Sequence, residues 1–268
     1  MDPNALLSAL PVGDVEGLTE FLPVSSTGHL ILPCEAIGFH GPPGEVFGIS
    51  IQLGAILAVV CIHRAALRRI AARMRLPWTE ERRYATNILL AFLTAMAPGP
   101  TLHGLITECL FGPLVVALAL LAGGAATILM ERSRPSPRVH SVAVVGPSAA
   151  LLVGFGQALA MVPGTSRSAP TVIASPLFGV ERRTAAEFGF ILAVPTMLAA
   201  TVHSLWKARA DLDAAGAGSV ASGFAAAFGA TLLAVRWVLA VMGRMGFAPA
   251  GQYRIAPGTA APAWLAPR

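Results

Sequence analysis

The chain has 268 residues, of which 55% are apolar and only 12% are charged, whereas about a quarter of the residues in soluble domains are charged. With a mean hydropathy of +0.68, this composition excludes a soluble domain and indicates an integral membrane protein. The net charge of +5 does not indicate a nucleic-acid partner, because the arginines follow a membrane topology. The three cysteines lack metal-ligand spacing and do not form a disulfide framework pattern.

The chain begins with short apolar stretches around a sharp break. Residues 1–13 are predicted to form a short amphipathic helix lying in the membrane interface. Residues 14–22 form a helical arm, Pro23 breaks it, and a second arm begins at Ser26. Neither arm alone is long enough to cross the hydrocarbon core, so we predict a re-entrant hairpin, which is tolerated where protein buries it or where it lines a cavity.

Apolar segments long enough to cross a bilayer dominate the rest of the chain. The predicted spans are 46–62, 85–106, 110–130, 142–162, 185–205 and 220–242. We predict a single membrane domain over 1–268, all-α and polytopic, with about six transmembrane helices and two re-entrant hairpins.

The closing segment does not predict a further span. Residues 248–268 contain four prolines, and proline inside a helix costs about 3 kcal/mol, so this segment is left uncertain.

Basic residues predict the orientation of these spans. They cluster in three segments, which the positive-inside rule places in the cytoplasm. Segments 104–111 and 207–219 carry few basic residues and are predicted to face outward. The clusters are Arg64, Arg68, Arg69, Arg73, Arg75, Arg82 and Arg83, then Arg132, Arg134 and Arg138, then Arg182 and Arg183.

An internal repeat relates residues 14–62 to 154–206 at an offset near 140 residues. Its best match aligns Pro23-Val-Ser-Ser-Thr with Pro163-Gly-Thr-Ser-Arg. The loop before each copy's span carries opposite predicted sidedness, which is typical of an inverted-topology repeat. Broken helices of such repeats meet near the middle of the membrane, so we expect the two hairpins to lie close together.

The second copy contains the more informative break. Pro163 and Gly164 stop a helix, hydroxyl residues and Arg167 follow, and Pro170 suits the first turn of a new helix. Free N–H groups at a helix start together with an arginine form an anion site, and phosphate is the expected ligand. The alternative is a polar connecting loop, but an unpaired arginine in an apolar stretch favours a functional site.

Two carboxylates precede the first break. Glu16 and Glu20 are four residues apart and share one helical face, where they repel each other unless a cation or a proton lies between them. This favours a divalent-metal site or an acid–base pair beside a phosphate. The alternative for Glu16 is a first-turn residue stabilised by the helix dipole.

Hydroxyl residues and a histidine follow the same break. Ser25, Ser26, Thr27 and His29 stand close behind Pro23, and Ser26 and His29 are spaced to share a helical face as nucleophile and base. A lone histidine in an apolar helix is more often a packing residue. The spacing leaves the nucleophile open between His29, Ser26 and a metal-bound water.

At these motifs the sequence resembles the undecaprenyl-diphosphate phosphatases of the bacitracin-resistance family. The likeness is carried by Glu16-Gly-Leu-Thr-Glu-Phe-Leu-Pro-Val-Ser-Ser-Thr-Gly-His29 and by Pro163-Gly-Thr-Ser-Arg-Ser168 with Thr171. The resemblance implies an all-helical bacterial inner-membrane protein with its active site facing the periplasm. It implies removal of the terminal phosphate from a polyprenyl diphosphate with Mg²⁺ or Ca²⁺, which recycles the lipid carrier of peptidoglycan synthesis and underlies the family's link to antibiotic resistance.

The resemblance also assigns roles to residues. Glu20, Ser26, His29 and Arg167 would be catalytic, and Glu16 and Glu20 would bind the metal ion. Ser25, Thr27, Ser166, Ser168 and Thr171 would bind the substrate. The partners implied are the lipid substrate and the membrane, with no nucleic acid, and a homodimer is left open.

Two departures and two alternatives accompany this assignment. Ala169-Pro170 stands where the family usually has Gly, and the segment after Tyr253-Arg254 is rich in proline where the family has an apolar helix. Inverted repeats with broken helices also occur in transporters, so a transporter or flippase for a phosphorylated lipid is the alternative function. A homologue that binds lipid diphosphate with weakened catalysis is the third.

Overall fold

The computed structural model describes residues 3–26, 29–30, 46–76, 79–99, 101, 109–110, 112–207 and 217–264. Helices dominate these residues, which confirms the all-α prediction. They are α1 (Pro3–Thr19), α2 (Val46–Ile62), α3 (Arg64–Arg73), α4 (Glu80–Met96), α5 (Pro113–Arg132), α6 (Pro147–Ala158), α7 (Ala169–Leu177), α8 (Arg182–Lys207), α9 (Ala217–Met245) and α10 (Ala248–Trp264).

The polytopic membrane character is confirmed, whereas the count of six spans is not. Within the described ranges, three helices are long and apolar enough to cross a membrane: Leu114–Arg132, Arg182–Lys207 and Ala217–Val241. The pair α2 and α3, bent by 72° at its junction, adds a fourth if it counts as one broken span. The predicted span 85–106 lies partly outside the described residues.

The first helix is longer than the sequence predicted. From Pro3 onward α1 continues through the predicted interfacial helix into the predicted first arm, with Pro11 at an exposed position, and it ends at Thr19. It packs against α9 so closely that a Cβ on Gly13 would lie 2.3 Å from the Gly223 carbonyl oxygen. Small residues allow such backbone contact between membrane helices. α1 is therefore part of the helix bundle and delivers its carboxylates into it.

The prediction of one span over residues 142–162 is wrong. A short 3₁₀ turn occupies Val142–Val144, α6 follows only from Pro147, and a second 3₁₀ turn occupies Leu159–Met161. Proline lacks an N–H and has a fixed φ, so Pro147 suits the beginning of a helix rather than its interior. α6 is a short arm that packs against α4 and ends at the second break.

The uncertain closing segment is helical up to Trp264. Pro249 lies in the first turn of α10, where a missing N–H has no intrahelical acceptor in any case. α10 packs against α5 through glycines, and a Cβ on Gly124 would lie 2.7 Å from the Gly251 carbonyl oxygen. This close packing compensates for the proline-rich sequence and places Tyr253 and Arg254 beside the two breaks.

A partly buried ion cluster joins the end of α5 to the beginning of α8. Arg182 donates from Nε to Glu131 Oε1 over 2.6 Å, and Arg134 Nη1 lies 3.6 Å from Glu131 Oε2. Burial lowers the pKa of Arg134 below its ordinary value, an effect that the Glu131 carboxylate opposes. Two of the basic segments thus meet at one place, while their cytoplasmic location stays a prediction.

The predicted inverted repeat of 14–62 and 154–206 also stays a prediction. Both copies contain a break followed by helical residues, but residues 31–45 of the first copy lie outside the described ranges.

Candidate active site

The first break follows directly from α1. The chain turns through residues 20–24, Val24 donates to the Leu22 carbonyl over 2.8 Å, and Ser26 is again helical. Ser25 takes a φ of +72°, a left-handed conformation that only glycine adopts without strain. This turn places the carboxylate of Glu20 next to the hydroxyl that follows the break.

The second break lies at the predicted Pro163-Gly164 pair. Gly164 has a φ of +88°, and a Cβ there would lie 2.6 Å from the Val116 carbonyl oxygen, so only glycine fits. α7 then begins at Ala169 with Pro170 in its first turn, as predicted. Ser166, Arg167 and Ser168 lie between Gly164 and α7, and Ser166 and Arg167 contact residues of the first break.

The two breaks are in direct contact. The Arg167 guanidinium forms an ion pair with Glu20 Oε1, and Ser166 Oγ donates to the Leu22 carbonyl over 3.4 Å. Ser166 and Ser168 share a hydrogen bond of 3.0 Å. The two breaks therefore lie close together, as expected, while the re-entrant hairpins themselves stay a prediction.

Glu20 is the centre of this contact. Its side chain is 1% exposed, with Oε1 on Arg167 and Oε2 accepting a hydrogen bond of 2.5 Å from Ser26 Oγ. A carboxylate that accepts the proton of a serine hydroxyl is placed to act as its base. The serine is therefore paired with Glu20, not with His29 as its spacing had suggested.

His29 faces the other way. Its Nδ1 lies 2.7 Å from the Ser25 carbonyl oxygen, and its Nε2 lies 2.7 Å from the Tyr253 hydroxyl. The His29 and Tyr253 rings are stacked, with centroids 5.3 Å apart and an interplanar angle of 15°. Both ring nitrogens are thus engaged away from Ser26.

Glu16 provides the test of a metal site. Its side chain is buried, it interacts directly with Glu20, and its Oε2 has no hydrogen-bond partner among the described residues. The described ranges place no three His, Cys, Asp or Glu side chains around one point. Two carboxylates suffice for Mg²⁺ when substrate phosphates supply further oxygens. Glu16 and Glu20 therefore fit an ion that is shared with a phosphorylated substrate.

The remaining predicted site residues differ in position. Ser168 lines the site cavity, whereas Thr171 is buried and packs against Gly189, where a Cβ would lie 3.1 Å from Thr171 Oγ1. Thr171 therefore packs against α8 at Gly189, a residue that itself lines the site cavity. Thr27 lies outside the described residues.

A small cavity, partly open to the outside, adjoins the Arg167–Glu20 pair. Its lining contains both polar and apolar side chains, and the rings of Phe21 and Phe190 pack edge to face at 5.6 Å between centroids. A polar group joined to a hydrocarbon chain matches this mixed lining. The lining residues are Glu20, Phe21, Gln157, Arg167, Ser168, Gly189, Phe190, Ala193, Thr196 and Met197.

Three residues of this region were not singled out as functional in the sequence. Gln157 lines the cavity, Tyr253 contacts His29, and the fully buried Arg254 donates from Nη2 to the carbonyls of Ala119 (3.1 Å) and Gly164 (3.2 Å). A polar residue within an apolar helix was the available signal for Gln157 and Arg254. Their partners lie too far away along the chain for spacing to show them.

Comparison with known proteins identifies the family of the chain. The sequence profile of the family described as "Bacitracin resistance protein BacA" matches residues 9–260. This chain belongs to the BacA family. Among its relatives, "Undecaprenyl-diphosphatase 2" of Paramagnetospirillum magneticum is 48% identical over 254 residues, covering 95% of this chain and 97% of the relative.

Two further relatives of this BacA-family protein are similar along nearly their whole length. "Undecaprenyl-diphosphatase" of Rhizorhabdus wittichii is 46% identical over 265 residues, covering 98% of this chain and 99% of the relative. "Undecaprenyl-diphosphatase" of Sphingopyxis alaskensis is 45% identical over 261 residues, covering 97% and 98%. The match thus includes both breaks and the helices that carry them.

Proposed function

We propose that this BacA-family protein hydrolyses undecaprenyl diphosphate to undecaprenyl phosphate and inorganic phosphate. The names of its relatives support the reaction. The single observation that carries it is the contact of Ser26, Glu20 and Arg167, because a hydroxyl, a carboxylate and a guanidinium at one point are the groups that a nucleophile, a base and a phosphate-binding cation require. None of these relatives is named as a transporter, and no observation favours that alternative.

Arg167 binds the terminal phosphate in the first step. Its side chain is 29% exposed and lines the cavity. A guanidinium binds the oxygens of a phosphate with the same paired hydrogen bonds that it forms with a carboxylate. Ser168, on the cavity wall, donates a further hydrogen bond. When Arg167 turns from Glu20 to the phosphate, the Glu20 carboxylate is free to accept a proton.

Ser26 attacks the terminal phosphorus in the second step. Its proton passes to Glu20 along their 2.5 Å hydrogen bond, and a bond forms between Ser26 Oγ and phosphorus. The bond between the terminal phosphorus and the bridging oxygen breaks, and undecaprenyl phosphate leaves as an anion. A water oxygen then bonds to the phosphorus of the phosphoserine, and the bond between Ser26 Oγ and phosphorus breaks to release inorganic phosphate. Glu20 returns its proton to Ser26 Oγ and takes one from the attacking water, and this last proton passes to solvent.

Glu16 and Glu20 would hold Mg²⁺ or Ca²⁺ together with the diphosphate. The bound ion supplies charge neutralisation at the phosphate oxygens, where negative charge repels the nucleophile. Glu16 contributes the buried Oε2 that lacks a partner among the described residues.

The apolar side chains of the cavity lining hold the first part of the lipid chain. Phe21, Phe190 and Met197 line the cavity, so they contact the hydrocarbon next to the diphosphate while the rest of the chain lies in the membrane interior. We place the protein in the bacterial inner membrane with this cavity open to the periplasm, where lipid-carrier diphosphate is recycled for peptidoglycan synthesis. A homodimer stays a prediction.

Purified protein in detergent, assayed for phosphate release from undecaprenyl diphosphate, tests the proposal. We expect release by the native protein and a loss of at least about 100-fold in kcat for Arg167→Ala and for Ser26→Ala. Arg183→Ala is the control, because Arg183 is 65% exposed and pairs with Glu187 on the helix surface. Unchanged release after either site substitution would remove the catalytic assignment.

A further inference from the structure

Tyr253 of α10 is connected to the proposed nucleophile through a chain of hydrogen bonds. Its hydroxyl lies 2.7 Å from His29 Nε2, and His29 Nδ1 lies 2.7 Å from the Ser25 carbonyl oxygen. Ser25 precedes Ser26, whose hydroxyl donates to Glu20. The closing helix thus contacts the catalytic turn across 224 positions of sequence.

The acceptors and donors of this chain define the state of the imidazole. A carbonyl oxygen can only accept, so His29 Nδ1 carries the proton. In the neutral ring Nε2 is then an acceptor, and the Tyr253 hydroxyl is its donor. The Tyr253 ring stacks on the imidazole of His29, 15° from parallel, and this contact restricts the orientation of the imidazole.

The turn that this imidazole holds is strained. Ser25 is the single non-glycine residue with a positive φ among those the structure describes. Such a conformation persists only when its surroundings enforce it. The His29 bond to the Ser25 carbonyl is one constraint on this turn, and Ser26 follows the turn directly.

We propose that Tyr253 is a positioning residue, which fixes the tautomer and ring plane of His29 and thereby holds the Ser25–Ser26 turn in its reactive geometry. The expected effect on kcat rests on the proposed function, whereas the expected tautomer of His29 does not. A half-exposed tyrosine could instead make a surface contact without influence on the site, and the experiments below separate these two cases.

Tyr253→Phe keeps the stacked ring and removes the hydroxyl. We expect kcat to fall about five- to tenfold, as the loss of one hydrogen bond implies, with KM within about twofold. Tyr84→Phe is the matched control, because the buried Tyr84 hydroxyl has no hydrogen-bond partner among the described residues. Equal kcat values for Tyr253→Phe and the native protein would overturn the inference.

A nitrogen NMR spectrum of protein labelled at histidine gives a readout independent of activity. We expect His29 to be protonated at Nδ1 and unprotonated at Nε2, with the Nε2 resonance shifted by Tyr253→Phe and unmoved by Tyr84→Phe. An Nε2-protonated His29, or an Nε2 resonance that ignores Tyr253→Phe, would overturn the inference. A native protein without phosphatase activity would sink the proposed function, and the spectrum would still decide the role of Tyr253.

A double-mutant cycle with Ser25→Gly tests the strain directly. Glycine adopts a φ of +72° freely, so the turn would depend less on the His29 bond. We expect Tyr253→Phe to lower kcat by a smaller factor in the Ser25→Gly background than in the native protein. The same factor in both backgrounds would show that Tyr253 does not act through this turn.

Discussion

The Arg167 guanidinium lies against the Glu20 carboxylate, 147 positions away along the chain, and this ion pair joins the two breaks. The Glu20 side chain is 1% exposed, and Arg167 is the cation that lies against it. Removing one partner of a buried pair is costly because it leaves the other charge unpaired. The pair therefore has a structural consequence as well as a chemical one.

Arg167→Met should lower the free energy of unfolding by about 3 kcal/mol, because it leaves a buried carboxylate without its cation. The double variant Glu20→Gln with Arg167→Met should regain most of that loss, since neither charge remains. Thermal or denaturant unfolding in detergent measures both. Arg183→Met, at an exposed pair, should stay within about 0.5 kcal/mol. A double variant as unstable as the single one would contradict this account.

Gly164→Ala should destabilise the protein and reduce phosphatase activity together. The left-handed backbone costs about 1–2 kcal/mol for a residue with a Cβ, and the new Cβ would also meet the Val116 carbonyl at 2.6 Å. Unfolding temperature and phosphate release are the measurements. Gly229→Ala in α9 is the control, because a Cβ there meets nothing within 4 Å and alanine favours a helix. A stable, active Gly164→Ala protein would show that the second break tolerates another backbone.

The parts of the site that sequence could predict depend on local chemistry. Pro163-Gly164 marks a break because proline and glycine restrict the backbone by themselves, and Arg167 is conspicuous because charge is rare in an apolar stretch. The proximity of Arg167 to Glu20 could be expected only from the internal repeat and from the predicted sidedness of its two copies. The pairing of Ser26 with Glu20, instead of with His29, depends on the turn geometry at Ser25, which spacing does not contain.

The closing helix shows the limit of local signals more clearly. Its prolines argued against a helix, yet α10 forms because Gly124 and Gly251 let it pack closely against α5. The contacts of Tyr253 and Arg254 with the two hairpins depend on that packing. Tertiary contact outweighs propensity at such places, and no window of sequence reveals it.

Native thiols can test the predicted sidedness of the basic segments. Cys109 is exposed within segment 104–111, which is predicted to face outward, and Arg75 is exposed in a basic segment. With Cys34 and Cys61 replaced by serine, a membrane-impermeant maleimide should label Cys109 in intact spheroplasts. With Cys109 also replaced, Arg75→Cys should react only after permeabilisation. The reverse pattern would place the arginines outside and contradict the assignment.

Chelation tests the metal-binding role of the two carboxylates. EDTA should abolish phosphate release, and added Mg²⁺ or Ca²⁺ should restore it, because the diphosphate and Glu20 would otherwise hold like charges together. Glu16→Gln should raise the ion concentration needed for half-maximal activity by about tenfold or more, since it removes the buried Oε2 that has no other partner among the described residues. Glu81→Gln, which alters a surface pair with Arg73, should leave that concentration unchanged. Activity that survives EDTA in full would exclude the ion from the reaction and leave Glu16 as a buried acid beside Glu20.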